Sequence, residues 1–186
     1  AYGSAVNTNA SNVISGVPNR LTIANVPSQS GSLTYTGSAQ TPSWSNYDSS
    51  KMTLSVTAQT NAGTYSASFT PKDDYMWSDG TTAAKSVNWT IGKAAGSLSL
   101  SKSSITLNST TKSATFIVTR AGDGKITVES SDTSVATVSL SGTTVTVRSV
   151  NDKTGTATIT VKVAAGTNHT APSNKTCAVS CEFLPA

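Results

Sequence analysis

Residues 125–147 read KITVESSDTSVATVSLSGTTVTV, and this stretch decides the fold. Its apolar side chains fall on alternate positions, at Ile126 and Val128, at Val138 and Leu140, and at Val145 and Val147. Ser, Asp, Thr and Gly fill the breaks. Period-two alternation of β-branched residues predicts strands buried on one face, with turns around Asp132 and Gly142. Nothing in it repeats at helical spacing.

Working outward, the same alternation recurs on both sides. It predicts strands at Leu98–Leu100, Ile105–Leu107, Ala114–Val118, Ile126–Val128, Val135–Leu140, Val145–Val147, Ala157–Val163 and Cys177–Phe183. Eight short strands with turn residues between them predict a β-sandwich over residues 97–186. Upstream, residues 25–93 form a separate candidate domain, joined through the short Gly92–Ser97 stretch, GKAAGS, which is too short for a freely reorienting linker. Its alternating segments are Met52–Val56, Tyr65–Phe69 and Val87–Ile91, and KDDYMWSDGTT predicts a polar hairpin connection turning at Asp79-Gly80. Trp44, Tyr47, Tyr65, Phe69, Tyr75, Trp77 and Trp89 supply the large rings for one small core. Residues 1–24 are rich in Asn, Ser, Ala and Gly, and read either as a flexible leader or as an extended N-terminal arm that orders against a partner, with apolar spots at Val13, Ile14, Leu21 and Ile23. These four are the candidate assembly residues, and LTIAN is β-prone enough for its end to pair with something.

Composition agrees with an all-β chain. Of 186 residues 6% are aromatic and 12% charged, which is too little charge for a disordered chain and too little Glu, Lys, Leu and Arg for a helical one. The net charge is +4 and the pI about 9.1, yet the 13 Lys and Arg are scattered singly, without the clustered footprint of a nucleic-acid binder. No apolar run approaches the ~20 residues of a membrane span. The start AYGSAVNTNASNVISG lacks a signal peptide's basic and apolar regions, and Ala1 is a residue before which an initiator Met is readily excised. On that reading the chain is made without an export signal; a signal removed ahead of Ala1 is the alternative.

SSDTSVATVSLSGTTVTV resembles the group 2 bacterial immunoglobulin-like repeat, whose core is a Ser-Ser-Asp, a Val-Ala-x-Val, a Gly and a valine-rich strand. The likeness spans Leu98 to Val163 and departs where AAGTNHTAPSNK and a further strand follow. The upstream domain is similar to a repeat of surface proteins of Gram-positive gut bacteria and their phages. Tyr35, Gly37, Gln40, Gly63, Tyr65, Tyr75, Trp77, Asp79, Gly80, Trp89 and Ile91 fit its pattern. The two resemblances imply two tandem immunoglobulin-like sandwiches and a surface or virion module with no catalytic residues.

The residues agree with a non-enzymatic reading that needs no cofactor and no metal. The nine carboxylates sit mostly in turn sequences, and none forms a facing pair such as glycoside hydrolysis needs. His169, the single histidine, lies in the polar loop NHTAPSN and reads as exposed. No Gly-x-Ser-x-Gly elbow is present, and Gly122–Lys125 reads as a hairpin turn rather than a phosphate loop. The Asn-x-Ser/Thr sequons at Asn108 and Asn168 matter only in a eukaryotic secretory pathway. Cys177 and Cys181, four apart, would be about 13 Å apart on one strand at ~3.3 Å per residue, too far for a disulfide. They read as two small core residues. A bridge or half a metal site off a strand is the alternative. Tyr75, Trp77 and Asp79 are the candidate glycan contact, since loop aromatics beside Asp stack on sugar rings; a framework role explains them equally well.

These readings lead to a structural or display protein of a phage virion (capsid decoration, head-fibre or tail), partnered by other virion proteins or its own copies and by host-surface glycans. The alternative is part of a bacterial cell-surface adhesin serving as stalk or carbohydrate-binding module. Neither nucleic acid nor membrane insertion enters.

Overall fold

A computed structural model of the chain describes residues 19–183, so Val13 and Ile14 lie outside the described residues. Every regular element among those residues is a β-strand, as the alternation predicts. The chain forms two compact units that interleave along the sequence. One holds the described residues through Ser30 with Ser43–Thr57 and Ser66–Trp89. The other holds Gly31–Pro42, Ala58–Tyr65 and the chain from Thr90 onward.

The upstream strands are Leu21–Ile23 (β1), Ser28–Ser30 (β2), Leu33–Thr34 (β3), Ser43–Ser45 (β4), Met52–Ser55 (β5), Gly63–Pro71 (β6), Tyr75–Trp77 (β7) and Lys85–Gly92 (β8). One sheet runs β3-β8-β6-β5; β1 pairs with β7 in parallel and β2 with β4 antiparallel. Met52, Ala67, Phe69, Trp77 and Trp89 are buried. Trp44 meets Phe69 edge-on at 4.8 Å between ring centres, and Tyr47 tilts against it at 5.8 Å. The LTIAN end does pair: Ile23 sits opposite Trp77 and is buried, while Leu21, opposite Tyr75, is 60% exposed. KDDYMWSDGTT is therefore more than a polar connection. It makes the Asp79-Gly80 turn, closed by Trp77 N–H to Thr81 at 2.8 Å, and also contributes a strand. Local turn chemistry shows in the sequence; a parallel partner some fifty residues upstream does not.

The downstream strands are Ser97–Leu100 (β9), Ser104–Asn108 (β10), Ser113–Ala121 (β11), Ile126–Ser130 (β12), Ala136–Ser141 (β13), Thr144–Ser149 (β14), Gly155–Val163 (β15) and Lys175–Glu182 (β16). They form two four-stranded sheets, β10-β16-β15-β12 and β13-β14-β11-β9. Inward residues from both make one core, including Leu107, Phe116, Val145, Val147, Ile159, Val161 and Val179. Two pairs of consecutive strands are also sheet neighbours: β13–β14, turned by Gly142 at φ 60, and β15–β16. Gly at the first position of a two-residue turn matches the strand twist without a Cβ penalty. The other connections cross from one sheet to the other. Gly122–Lys125 is among them, which corrects the hairpin expectation: β11 and β12 belong to different sheets.

Strand β16 lies between β10, its parallel partner, and β15, its antiparallel one. Cys177 and Cys181 are free, buried and on the same face as Val179. Burial pushes both thiols up, and the charge of Lys102 partly offsets this at Cys177. Thiols that are buried and protonated do not attack. Native protein at pH 8 should leave a chromogenic disulfide reagent unreacted, and guanidinium should release both thiols without reductant. One thiol titrating in the native state would refute this packing.

Candidate functional site

The loop that sequence selects is built as framework. Trp77 is 1% exposed and its indole N–H donates to the Ala83 carbonyl at 2.8 Å. Lys85 Nζ stands 5.5 Å from the ring centre. A ring so enclosed presents no face to a sugar, which corrects its reading as a stacking residue. Tyr75 is half-buried on β7. Asp79 accepts from Lys85 Nζ at 2.6 Å and from the Thr81 N–H and hydroxyl at 2.9 and 2.6 Å, and these bonds, Lys85 foremost, hold its carboxyl far below the usual range.

Asp48 and Asp132 are spent in the same way. Asp48 Oδ1 accepts from the Ser50 hydroxyl and N–H at 2.6 and 2.9 Å; Asp132 Oδ1 accepts from Ser134 at 2.7 and 2.8 Å. Both carboxyls are lowered, the serine hydroxyl bond being the main cause. Asn108 Oδ1 caps Thr110 and Thr111 likewise. A short side-chain oxygen closing on the backbone two residues ahead is how Asx turns form. Among the described residues no three His, Cys, Asp or Glu side chains gather where they could hold a metal.

Two arrangements were not visible in the sequence. The first is a polar groove of about 310 Å³ lined by Thr22–Asn25, Asn46, Tyr47, Asp48, Lys51 and Met52. Asn46 adopts φ 61, a left-handed turn conformation that Asn tolerates. Lys51 Nζ lies 3.3 Å from Asp48, so the acid is engaged within its own turn. What remains is a half-buried phenol beside two side-chain amides, a set suited to hydroxyl-rich ligands.

The second is a clasp formed by the loop that departs from the repeat pattern. Asp123 accepts from the Thr167 N–H at 2.7 Å and the Asn168 N–H at 3.3 Å, and His169 Nδ1 lies 3.5 Å away. Asn168 in turn accepts from the Ala62 N–H at 2.8 Å and donates to the Asn61 side chain at 3.1 Å. Its backbone carbonyl accepts from Ala94 N–H, and Thr170 N–H returns to Ala94, both at 2.9 Å. The histidine side chain is 21% exposed, edge-on to Tyr35 at 5.3 Å, so it is packed rather than loose in solvent as sequence implied. Glycine is required at three contacts: a Cβ on Gly96 would strike the Thr170 carbonyl, one on Gly124 the Ala164 carbonyl, and one on Gly166 the Asp123 carboxylate. The signal available in sequence was this glycine spacing around a lone Asp; its partner lies over forty residues away.

No family model matches the chain, and no curated protein matches it. Among solved structures, the chain is similar to the crystal structure of the S-layer protein rSbsC(31-844) at 24% identity and a TM-score of 0.38. The match covers 66% of this chain, which spans 16% of that protein.

Desolvation pushes the Asp123 carboxyl up, but the Thr167 and Asn168 N–H donors, with His169, outweigh it and leave the pKa lowered. A pKa lower in the folded than in the unfolded state gives stability that is full above about 3.8 and is lost as pH falls through the folded value. Asp123→Asn should therefore lower the urea midpoint at pH 7 and flatten its decline on acidification; curves parallel to wild type would refute the role. Gly166→Ala should cost about 1–3 kcal/mol by overpacking, read from the same urea curves.

Proposed function

We propose that the chain is a non-catalytic display protein of an extracellular surface, made of tandem immunoglobulin-like modules, and that the surface is a phage virion, where it serves as a capsid decoration, head-fibre or tail component. One observation carries the reading. Residues that fit the surface-repeat pattern occupy framework positions: Gly37 and Gly80 adopt φ 82 and 79, Trp77 and Trp89 are buried, and Asp79 caps its own turn. A pattern spent on folding supports a module carried for display rather than a chemistry-bearing site. Asp48, Asp79 and Asp132, engaged with their own turn backbones, and the thiols in the core support it further. Glycan contact, expected at Tyr75, Trp77 and Asp79, fits the Tyr47 groove better, because Trp77 has no open face. Partners are other surface proteins or further copies of the chain.

Assembly is tested by light scattering after size exclusion, on the full chain and on a chain lacking residues 1–18. That truncation spares β1 and so leaves Ile23 opposite Trp77. The expected result is a defined oligomer for the full chain and a monomer for the truncated one. Monomers in both would overturn the assembly role and favour a stalk of a bacterial surface adhesin.

A further inference from the structure

Parallel pairing brings the N-terminal ends of two strands together, whereas antiparallel pairing separates them. In the sheet closed by β16 this has an electrostatic result. Ser104 of β10 lies opposite Ala178, and Ala178 N–H donates to the Ser103 carbonyl at 2.9 Å. Carrying the register back two residues sets Lys102 against Thr176, beside Lys175, the first residue of β16. Both lysines line one groove of about 250 Å³, along with Ser99, Leu100, Ser103 and Thr176.

Four of the other lysines are paired where they stand. Lys51, Lys85, Lys112 and Lys162 each have a carboxylate oxygen at 2.6–3.3 Å. Among the described residues, Lys102 and Lys175 have none within the 4.0 Å of an ion pair, and the groove lining contains no acid. The fold thus holds two like charges at one concave spot, where each raises the potential felt by an incoming anion. The hydroxyls of Ser99, Ser103 and Thr176 add donors for anionic oxygens, and Leu100 adds an apolar side for a ring or polyol face.

We propose that this groove binds the acidic groups of a polysaccharide, a sulfate, phosphate or carboxylate carried on a sugar or polyol chain. One such group in an open groove binds weakly. A polymer offering many of them to many displayed copies gains by effective concentration. Binding weakens with salt, because the groove is open to solvent. The inference holds whether the chain sits on a virion or a cell.

The full chain is loaded on immobilised dextran sulfate and on neutral dextran, and eluted with stepped salt. The K102Q/K175Q variant is compared with K72Q/K125Q, which removes the same charge from two exposed lysines outside the groove. Retention of wild type on dextran sulfate alone is expected. Affinity should fall roughly tenfold or more for K102Q/K175Q, from loss of two charge-assisted hydrogen bonds, and little for K72Q/K125Q. Equal loss in both variants, or no loss in either, overturns the proposal. Titration of labelled protein with soluble dextran sulfate and with inorganic sulfate separates polymer from free ion. Amide shifts at Ser99, Ser103 and Thr176 at lower sulfate-group concentration with the polymer support it. Shifts elsewhere, or equal response to the free ion, overturn it.

Discussion

Strand β16 is hydrogen-bonded along both edges, and the closure of the downstream core depends on it. On one side it meets β10 in parallel from Ser104↔Ala178 to Asn108↔Glu182, and on the other β15 antiparallel from Gly155↔Cys181 to Val161↔Lys175. Without it β10 would have no partner in its sheet, and Leu107, Ile159 and Val161 would lose the face formed by Cys177, Val179 and Cys181. The last strand among the described residues is thus a central one. Such a topology defers its main hydrophobic gain until distant segments have met, which makes folding slow relative to local hairpins. The two small thiols suit this position, because they fill a tight interior without a polar atom that demands a strong partner.

Placing β16 there obliges residues 164–174 to carry the chain from the end of β15 back to the start of β16, and this return is what Asp123 organises. Its carboxylate satisfies the Thr167 and Asn168 N–H groups of a loop that joins no sheet beyond the isolated bridge of His169 to Ala94. The close approach leaves no room for a Cβ at Gly124 or Gly166. Asn168 extends the network to the Asn61–Ala62 turn and to Ala94, so the Gly92–Ser97 stretch is held by backbone hydrogen bonds. One charge therefore fixes a loop whose sequence, rich in Ala, Gly, Thr and Asn, has little intrinsic preference.

The strands were legible because each needs one buried face, and a buried face writes itself into the sequence with period two. All eight downstream strands fall where Leu98, Ile105, Phe116, Ile126, Val138, Val145, Ile159 and Val179 place them. Partners were not legible. Alternation is the same whether a strand pairs in parallel or antiparallel, or crosses to the opposite sheet, so the β10–β16 pairing and the Gly122–Lys125 crossing were hidden. Short strands such as β1 and β7 have too few residues to show a period, and Trp77 looked like a loop aromatic for that reason. The clasp and both grooves were hidden too, since each assembles residues whose nearness exists only after pairing.

The residues that make the chain resemble surface repeats are consumed by the fold. Glycines at left-handed positions, buried tryptophans and self-capping aspartates are what a small β framework requires, and they carry no information about what the module touches. On the proposed reading, recognition lies in side chains that the framework does not use. Lys102 and Lys175 are of that kind: outward at strand ends, without acidic neighbours, and together only because two strand starts coincide. A framework that fixes where strand ends meet, while making no use of the side chains at those ends, leaves room there for a binding surface without disturbing the core.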